Sequence, residues 1–461
     1  MSPDRFEAAY RAGVVEEDAS ALTAPRHDRP RVAAAVEGLA VGGCVLTSDG
    51  ALEGGYVVIG GDGAIASVQS ARPEAMAVLE TGGVVVPGLI DLHGHPEFNV
   101  FSAWEPPRLF TNRYQWRASD LYLQLVRDPQ SRLLGALAPG TQRRYAEIRA
   151  LVGGVTAIQG ANGRDPDNEA LVRNVDLRIF GAHQARAMVD LPADGTPDLE
   201  HLHAILALIA TGDVTAFYVH LAEGQRDDQT AGAEFDRLVA LGALTPATVV
   251  IHGSALTPAQ FGLMAEARAK LVWSPQSNLR LYGQTTDVAA AQAAGVAVGL
   301  GADWLPSGSQ SLLGEMKVAR RVLADQGRPI TARQLVEMVT VGAAHIAGLD
   351  AHIGVLQAGR PADVVVLERR YADPWENVAG AEPAWVEMVM IGGDPVYGRS
   401  DWMAKVRADG AVPLERVVAW GKRMLLDTGY SAEPAATPAP TLAQIRADIL
   451  AQYPQLGPIF A

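Results

Sequence analysis

The sequence predicts an α/β protein, a distorted TIM-type (β/α)8 barrel joined to a small β-sandwich built from both ends of the chain. Three observations lead there. Apolar runs alternate with helical patterns through the middle of the chain, β-rich segments punctuated by glycine flank that middle on both sides, and histidines recur at the ends of the apolar runs.

Runs apolar on both faces, alternating with helices, make parallel sheets covered by helices. About eight such units close into a barrel. Across residues 84–345 the runs are VVVPGLIDLHGH, GVTAIQGA, DLRIFGA, TAFYVHLAE, TVVIHG, KLVWSPQSN and VAVGLGADW. The eighth strand is expected between Ala182 and Thr211, where the sequence is too polar to place it. Residues 38–83 and 346–400 have the flanking texture, with GLAVGGCVLT and GGYVVIGGDGAIASVQ before the barrel and ADVVVLE and WVEMVMIGGDPVYG after it. Gly61-Asp62-Gly63 between two β-rich segments signals a hairpin. Residues 1–37 read as a helical extension, with Asp4 capping FEAAYRAG. Residues 401–461 read as a helical tail, in which SAEPAATPAP precedes a last helix from Thr441. The tail packs on the barrel or on a second subunit, and the latter would make a homodimer.

Composition narrows the function classes. A chain of 461 residues with 48% hydrophobic and 20% charged residues is folded rather than disordered. A formal net charge of −14 without a Lys/Arg run argues against nucleic acid as a partner. The single cysteine, Cys44, allows neither an internal disulfide nor a thiolate metal cluster, and its strand-like setting suits a buried structural role. The N-terminus lacks the pattern of a secretory signal, and no stretch reaches the roughly 18 apolar residues of a membrane span. A soluble, cytoplasmic protein without membrane partners is the expectation.

The chemistry starts at His93-Gly94-His95, which follows an apolar strand. Residues two apart on a strand point to the same side, at the end where barrel enzymes keep their sites. His201-Leu202-His203 serves as a control. It lies in DLEHLHAILALIATG, where apolar residues have helical spacing, and on a helix residues two apart diverge by about 200°. That pair cannot chelate, and a solvated helix face is expected. His220 and His252 each close another apolar strand, and Asp303 follows VGLGA. One such histidine alone is more often structural than a ligand, but several at successive strand ends fit a metal. A carboxylate buried at a barrel mouth needs compensation, which a metal provides. Catalytic zinc takes three or four N/O ligands and acidifies bound water to a pKa of about 7. Glu223, three residues after His220, reads equally well as a general acid/base or as a carboxylate favoured by a helix N-terminus.

These residues resemble the amidohydrolase superfamily, in its cytosine-deaminase and triazine-hydrolase branch. The resemblance rests on PGLIDLHGH at 87–95, HLAEG at 220–224, IHG at 251–253, SPQSN at 274–278, GLGAD at 299–303 and HIAGLDAHIGVLQAGRPADVVVLE at 345–368. It implies that His93, His95, His220 and Asp303 hold one divalent metal, zinc, with Fe2+ as the alternative. It further implies that Glu223 shuttles protons and that His252 polarises the substrate's electrophilic group or positions the nucleophile. Asp303 would both bind metal and orient water. Binuclear relatives carry a bridging lysine, and no lysine lies between His95 and Lys270, so one ion is expected. No organic cofactor is implied. Gln159 and His183 are polar groups for which a structural role is favoured.

A long insertion follows His95, and its aromatics are usually the loop's own core. Its interleaved arginines and its start beside the metal nevertheless place Phe98, Phe101, Trp104, Arg113 and Arg117 among the expected substrate contacts. Asn278 of SPQSN is added to them. The resulting expectation is a metal-dependent hydrolase of a C–N bond in an amide, cyclic amide or amidine. Its substrate is a small molecule or a modified peptide, similar in kind to that of the bottromycin-pathway amidohydrolase. Deamination of a nitrogen heterocycle is the first alternative, and a non-catalytic metal-binding scaffold the alternative from another class.

Overall fold

The computed structural model, which describes residues 38–138, 140–160, 170–177, 179–182, 184–407, 414–430 and 440–457, splits the apolar run 84–92 at Gly88. Before it lie strands β1 (Leu39–Thr47), β2 (Gly50–Ile59), β3 (Ile65–Gln69) and β4 (Ala77–Pro87). After it come β5 (Leu89–Asp91), β6 (Val155–Ile158), β7 (Arg173–Asn174), β8 (Ala185–Met188), β9 (Ala216–Leu221), β10 (Thr248–His252), β11 (Lys270–Trp273) and β12 (Val298–Leu300). The C-terminal part adds β13 (Val364–Leu367), β14 (Val386–Ile391), β15 (Asp394–Arg399), β16 (Glu415–Ala419) and β17 (Lys422–Leu426). Gly88 is where the chain changes sheets, and a Cβ there would lie 2.0 Å from Thr156 Oγ1, so only glycine permits the crossing.

Both ends of the chain meet in one nine-stranded mixed sheet, ordered β16-β17-β15-β14-β13-β4-β1-β2-β3. The join is the antiparallel pair β4–β13, with Val84 opposite Leu367 and Pro87 opposite Val364. The glycine-rich turn around residues 61–63 closes the β2–β3 hairpin as expected. Val84–Pro87 thus serve this sheet rather than the central α/β region. The interval expected to hold only a helical tail also contributes the β16–β17 hairpin. Its helix Leu442–Gln452 buries Ile445 and Ile449 against the helix Thr141–Val152 of the same chain. The helical extension expected over 1–37 lies outside the described residues.

The central strands form two parallel sheets, β12-β11-β10-β9-β8 and β5-β6-β7. They approach where Leu92 N donates to Leu300 O (3.3 Å) and Asp303 N to His93 O (2.9 Å). The strand left unplaced by sequence is β8, which pairs in parallel with β9. The third is displaced from expectation. Its ladder residues are Arg173 and Asn174, and residues 176–177 and 179–182 are turn, bend and bridge. The reason is Asp176, whose carboxylate accepts from Gly160 N (2.6 Å) and Gln159 Nε2 (3.0 Å). That keeps Gln159 structural, while His183 lies outside the described residues.

Alternation along β9 shows how the strands divide their side chains. Ala216 and Tyr218 face one apolar cluster together with Ile90, Val249 and Ile251. Phe217, Val219 and Leu221 face the other, where Phe235, Leu238, Phe261 and Met264 of the covering helices pack. His220 follows Tyr218 on the first side. The control pair sits on the helix Pro197–Thr211, with Leu202 buried and His203 exposed. Among the described residues no helix is long and apolar enough to cross a membrane.

Candidate metal centre

Five side chains converge at the C-terminal ends of the parallel strands. His93 and His95 lie just beyond β5, where His93 O still accepts from Asp303 N, so the chain stays beside β12. A Cβ at Gly301 would lie 2.4 Å from His93 Cβ, and glycine lets the two segments close. On β10, Val249 and Ile251 face inward and Val250 outward, so unbroken alternation would turn His252 outward. Its left-handed backbone, φ +69°, breaks the alternation, and the ring lies 5.1 Å from that of His93. Asp303 (φ +59°) and Ala222 (φ +51°), which precedes Glu223, share that strained region. Such strain gathers where surrounding structure over-determines a functional residue.

The donor set fits a divalent ion. His220 Nε2 is 3.3 Å from His95 Nε2, and Asp303 Oδ1 is 3.1 Å from His93 Nε2 and 3.7 Å from His95 Nε2. Four ligands about 2.0–2.2 Å from one tetrahedral ion stand roughly 3.3–3.6 Å from each other. Although His93 is fully buried, neither of its ring nitrogens has a hydrogen-bond partner, nor does His220 Nδ1. Its approach to Asp303 is close but lacks hydrogen-bond geometry, which suits two ligands aimed at a common point. Orphaned polar atoms in a buried site call for an explanation, and an ion supplies one. His93, His220 and His252 also lie within 4.8 Å of each other, so His252 borders the same space.

Electrostatics divide the histidines: burial opposes a charge on His93, but Asp303, Asp91 and Glu223 outweigh it and raise its pKa, while the other three are lowered. Burial and neighbouring histidines hold His220 well below the usual imidazole range. Burial, then His93, pushes His95 down to about 3, and burial does the same to His252. These rings are neutral at ordinary pH, as ligands and donors must be. Burial opposes ionisation of Asp303, but His93, His252 and His95 together hold its carboxyl below the usual range.

Two hydrogen-bonded chains support the site, and each starts at an indole N–H, which can only donate. Trp273 Nε1 donates to Thr285 Oγ1 (2.7 Å), which donates to Asn278 Oδ1 (3.2 Å). Asn278 Nδ2 therefore faces His252 Nδ1 at 3.1 Å. The acceptor nitrogen is Nδ1, and the proton of the neutral ring sits on Nε2, 3.7 Å from Glu223 Oε2. In the second chain Trp116 Nε1 donates to Tyr282 Oη (2.8 Å), and Tyr282 donates to Glu223 Oε1 (2.5 Å). Burial raises the Glu223 carboxyl, with Arg113 and Tyr282 opposing.

The insertion docks on the Glu223 loop through its backbone. Arg113 N donates to Glu223 O (3.2 Å), Gln225 N to Thr111 O (2.6 Å), and Asn112 bridges Gly224. A cavity of about 580 Å3 opens between insertion and strand ends, lined by His95, His220, Glu223, His252 and Asp303 on one side. Of the expected substrate contacts, Phe98, Arg113 and Arg117 line it, together with Trp116, Tyr122 and Trp304. Three others are corrected. Phe101 stacks edge-on against Tyr453 of the C-terminal helix region. Trp104 packs among Phe110, Trp116 and Tyr122, forming the loop's own core. Asn278 is fully buried and spends its amide on His252 and Thr285. Sequence reasoning missed Tyr282, Thr285 and Trp304. Tyr282 and Thr285 follow SPQSN closely and Trp304 follows Asp303, but only their partners, distant in sequence, give them meaning.

Residues 187–396 match the family model described as the amidohydrolase family. The chain is similar to the 5-methylthioadenosine/S-adenosylhomocysteine deaminase of Moorella thermoacetica, 27% identical over 331 residues, 64% of this chain and 76% of that one. The enzyme of the same name from Desulforudis audaxviator is 29% identical over 396 residues, covering 77% of this chain and 90% of that one. Among solved structures, a zinc-bound adenosine deaminase from Xanthomonas campestris is similar at TM-score 0.65 and 16% identity, covering 91% of this chain and 99% of that one. Atrazine chlorohydrolase from Arthrobacter aurescens, complexed with zinc, is similar at TM-score 0.65 and 18% identity, covering 90% and 99%. At these identities the structures speak for the fold.

Proposed function

We propose that this chain, which belongs to the amidohydrolase superfamily of metal-dependent hydrolases, deaminates a nitrogen heterocycle, adding water at the ring carbon that carries the amine. Hydrolysis of a C–N bond is the activity of the class. The choice of deamination draws on relatives named for deaminating adenine nucleosides. Neither of these relatives is named for a modified-peptide substrate. The observation that carries the reading is that ligand atoms of His93, His95 and Asp303 and of His93, His220 and His252 gather in two groups sharing His93, with His95, His220, His252, Asp303 and Glu223 lining one aromatic-walled cavity.

His93, His95, His220 and Asp303 would hold the metal, and we assign zinc, the ion present in the structural neighbours. When bound, such an ion acidifies water at neutral pH and so supplies the nucleophile of a hydrolysis. The protein's residues manage the protons. Glu223 Oε1 is fixed by Tyr282, which leaves Oε2 to take a proton from the attacking water and pass it to the substrate nitrogen. The Nε2–H of His252 faces the same space, where it can donate to the oxygen as it gains charge. Phe98, Trp116, Tyr122 and Trp304 give a flat ring apolar walls. Water and the amino heterocycle become the oxo heterocycle and ammonia.

The test is a panel of amino-substituted purines, pyrimidines and their nucleosides, with ammonia measured on protein of known metal content. Ammonia with about one equivalent of metal is expected. Substituting His93 or His95 by Ala should lower the metal content. A new carboxylate with a released amine would replace deamination by amide hydrolysis, and metal without any C–N hydrolysis would favour the scaffold reading.

A further inference from the structure

Ala222 is the residue through which the chain leaves β9 and presents Glu223. Ladder pairing ends at Leu221, opposite His252, and the next residue takes a left-handed backbone, φ +51°, which few residues other than glycine adopt. Ala222 is buried, so its amide needs an acceptor, and the ladder that would supply one has ended. The acceptor is a side chain. Glu234, on the helix Gln229–Ala240, takes the bond from Ala222 N through Oε2 at 2.7 Å.

The other oxygen of Glu234 faces the insertion. Oε1 accepts from Tyr114 Oη at 2.6 Å and lies 3.0 Å from Arg113 Nη2. Arg113 N in turn donates to Glu223 O at 3.2 Å. These contacts close a ring, from Glu234 through Ala222 to Glu223, on to Arg113 and back to Glu234. The main chain that bears the Glu223 side chain is therefore held before it and after it, and one carboxylate takes part in both holds. Every group that meets Glu234 in the ring is a donor, and an ionised carboxylate only accepts. An amide of the same shape would set its own N–H against one of them.

We infer that Glu234 is a positioning residue for the proton transfer: it holds Ala222 in its left-handed conformation and so fixes where the Glu223 carboxylate stands. Strained backbone of this kind persists only where its surroundings over-determine it. Removing the acceptor leaves a buried N–H unmatched, which is unfavourable, and lets the loop relax. Tyr282 fixes the tip of the Glu223 side chain, and Glu234 fixes its root. This rests on the reading of Glu223 as the proton carrier and adds the residue that places it.

Glu234→Gln tests the acceptor rather than the charge balance, because Asp190 Oδ1, 3.1 Å from Arg113 Nη2, keeps a counter-charge beside Arg113. The assay uses full-length, metal-loaded protein and the amino heterocycle that it turns over fastest. There kcat should fall about 10- to 100-fold, the scale of misplacing a reacting group by about 1 Å, with KM and metal content within about twofold of wild type. In Glu223→Gln protein the same change should cost nothing further. Hydrogen–deuterium exchange read by mass spectrometry needs no substrate. Peptides covering 220–226 should exchange about tenfold faster in Glu234→Gln, and those covering β10 at the wild-type rate. If that variant does not fold, Glu234→Asp, one methylene short of Ala222 N, goes through the same measurements. Failure of both to fold would make Glu234 structural and overturn the assignment. So would a wild-type kcat, a loss carried by KM, a loss that adds in full to that of Glu223→Gln, or unchanged exchange over 220–226. Wild-type protein that releases no ammonia from any amino heterocycle would sink the deaminase reading, and the exchange rates would still decide whether Glu234 holds the loop.

Discussion

The two hydrogen-bonded chains that end in the cavity are built from different parts of the molecule. The chain from Trp273 through Thr285 and Asn278 to His252 lies wholly between β10 and the segment just after β11. The chain from Trp116 through Tyr282 to Glu223 spans 166 and then 59 residues, and its origin is the insertion. One fixes a neutral ring's tautomer from within the parallel-strand frame. The other fixes a carboxylate from a segment laid over that frame. Changes in the insertion can therefore tune the carboxylate while the histidine and the candidate metal ligands keep their places.

The largest expected effect comes from the end of the insertion-borne chain. Glu223→Gln should lower kcat by about 10² or more, as for loss of a general acid/base, with metal content and melting temperature nearly unchanged. Activity like wild type would return Glu223 to a structural role. The frame-borne chain can be reversed rather than cut. Asn278→Asp offers His252 Nδ1 an acceptor, so the proton moves to Nδ1 and the Nε2–H donor is lost. A fall in kcat of about 10² is expected, the low end for losing one such donor, and Asn278→Ala should cost less because it leaves the tautomer free. Equal effects of Asp and Ala would show that the tautomer does not matter.

Tyr282→Phe comes next, with a loss of about tenfold in kcat, the scale of one hydrogen bond to a charged group. In the Glu223→Gln background the same change should do almost nothing. Additive losses there would mean that Tyr282 acts other than through Glu223. The smallest effect is on stability alone and uses Glu315 as a carboxylate outside both chains. Burial, opposed by Ser309 and the Gln276 main chain and reinforced by Asp303 and Asp91, raises its pKa to about 8. Because the folded protein holds this proton more tightly than the unfolded chain does, the stability it contributes is complete below about pH 4.5 and is lost as pH rises through about 8. Glu315→Gln should flatten the melting temperature between pH 5 and 8 relative to wild type. An unchanged slope would show that Glu315 does not titrate there.

Much of the candidate metal centre was legible because it is written in local patterns. His93-Gly94-His95, His220 and Asp303 each follow an apolar strand, and a strand's end fixes where its next side chains point. The same logic excluded His201 and His203, whose helix carries one of them into solvent. His252 was found for a less secure reason, since strict alternation turns it outward and only its left-handed backbone brings it in. Asn278 was assigned to the substrate because a polar residue near a motif looks the same whether it faces a ligand or another side chain. Phe101 and Trp104 were drawn to the site by nearness in sequence to His95, but packing against Tyr453 and Tyr122 holds them elsewhere. The sequence by itself determined the strand-end donors, because period-two alternation acts over a few residues. Only the tertiary structure decided which insertion residues reach the cavity and which donor meets which acceptor, because those bonds join residues up to 166 positions apart and their partners are chosen by packing rather than by spacing.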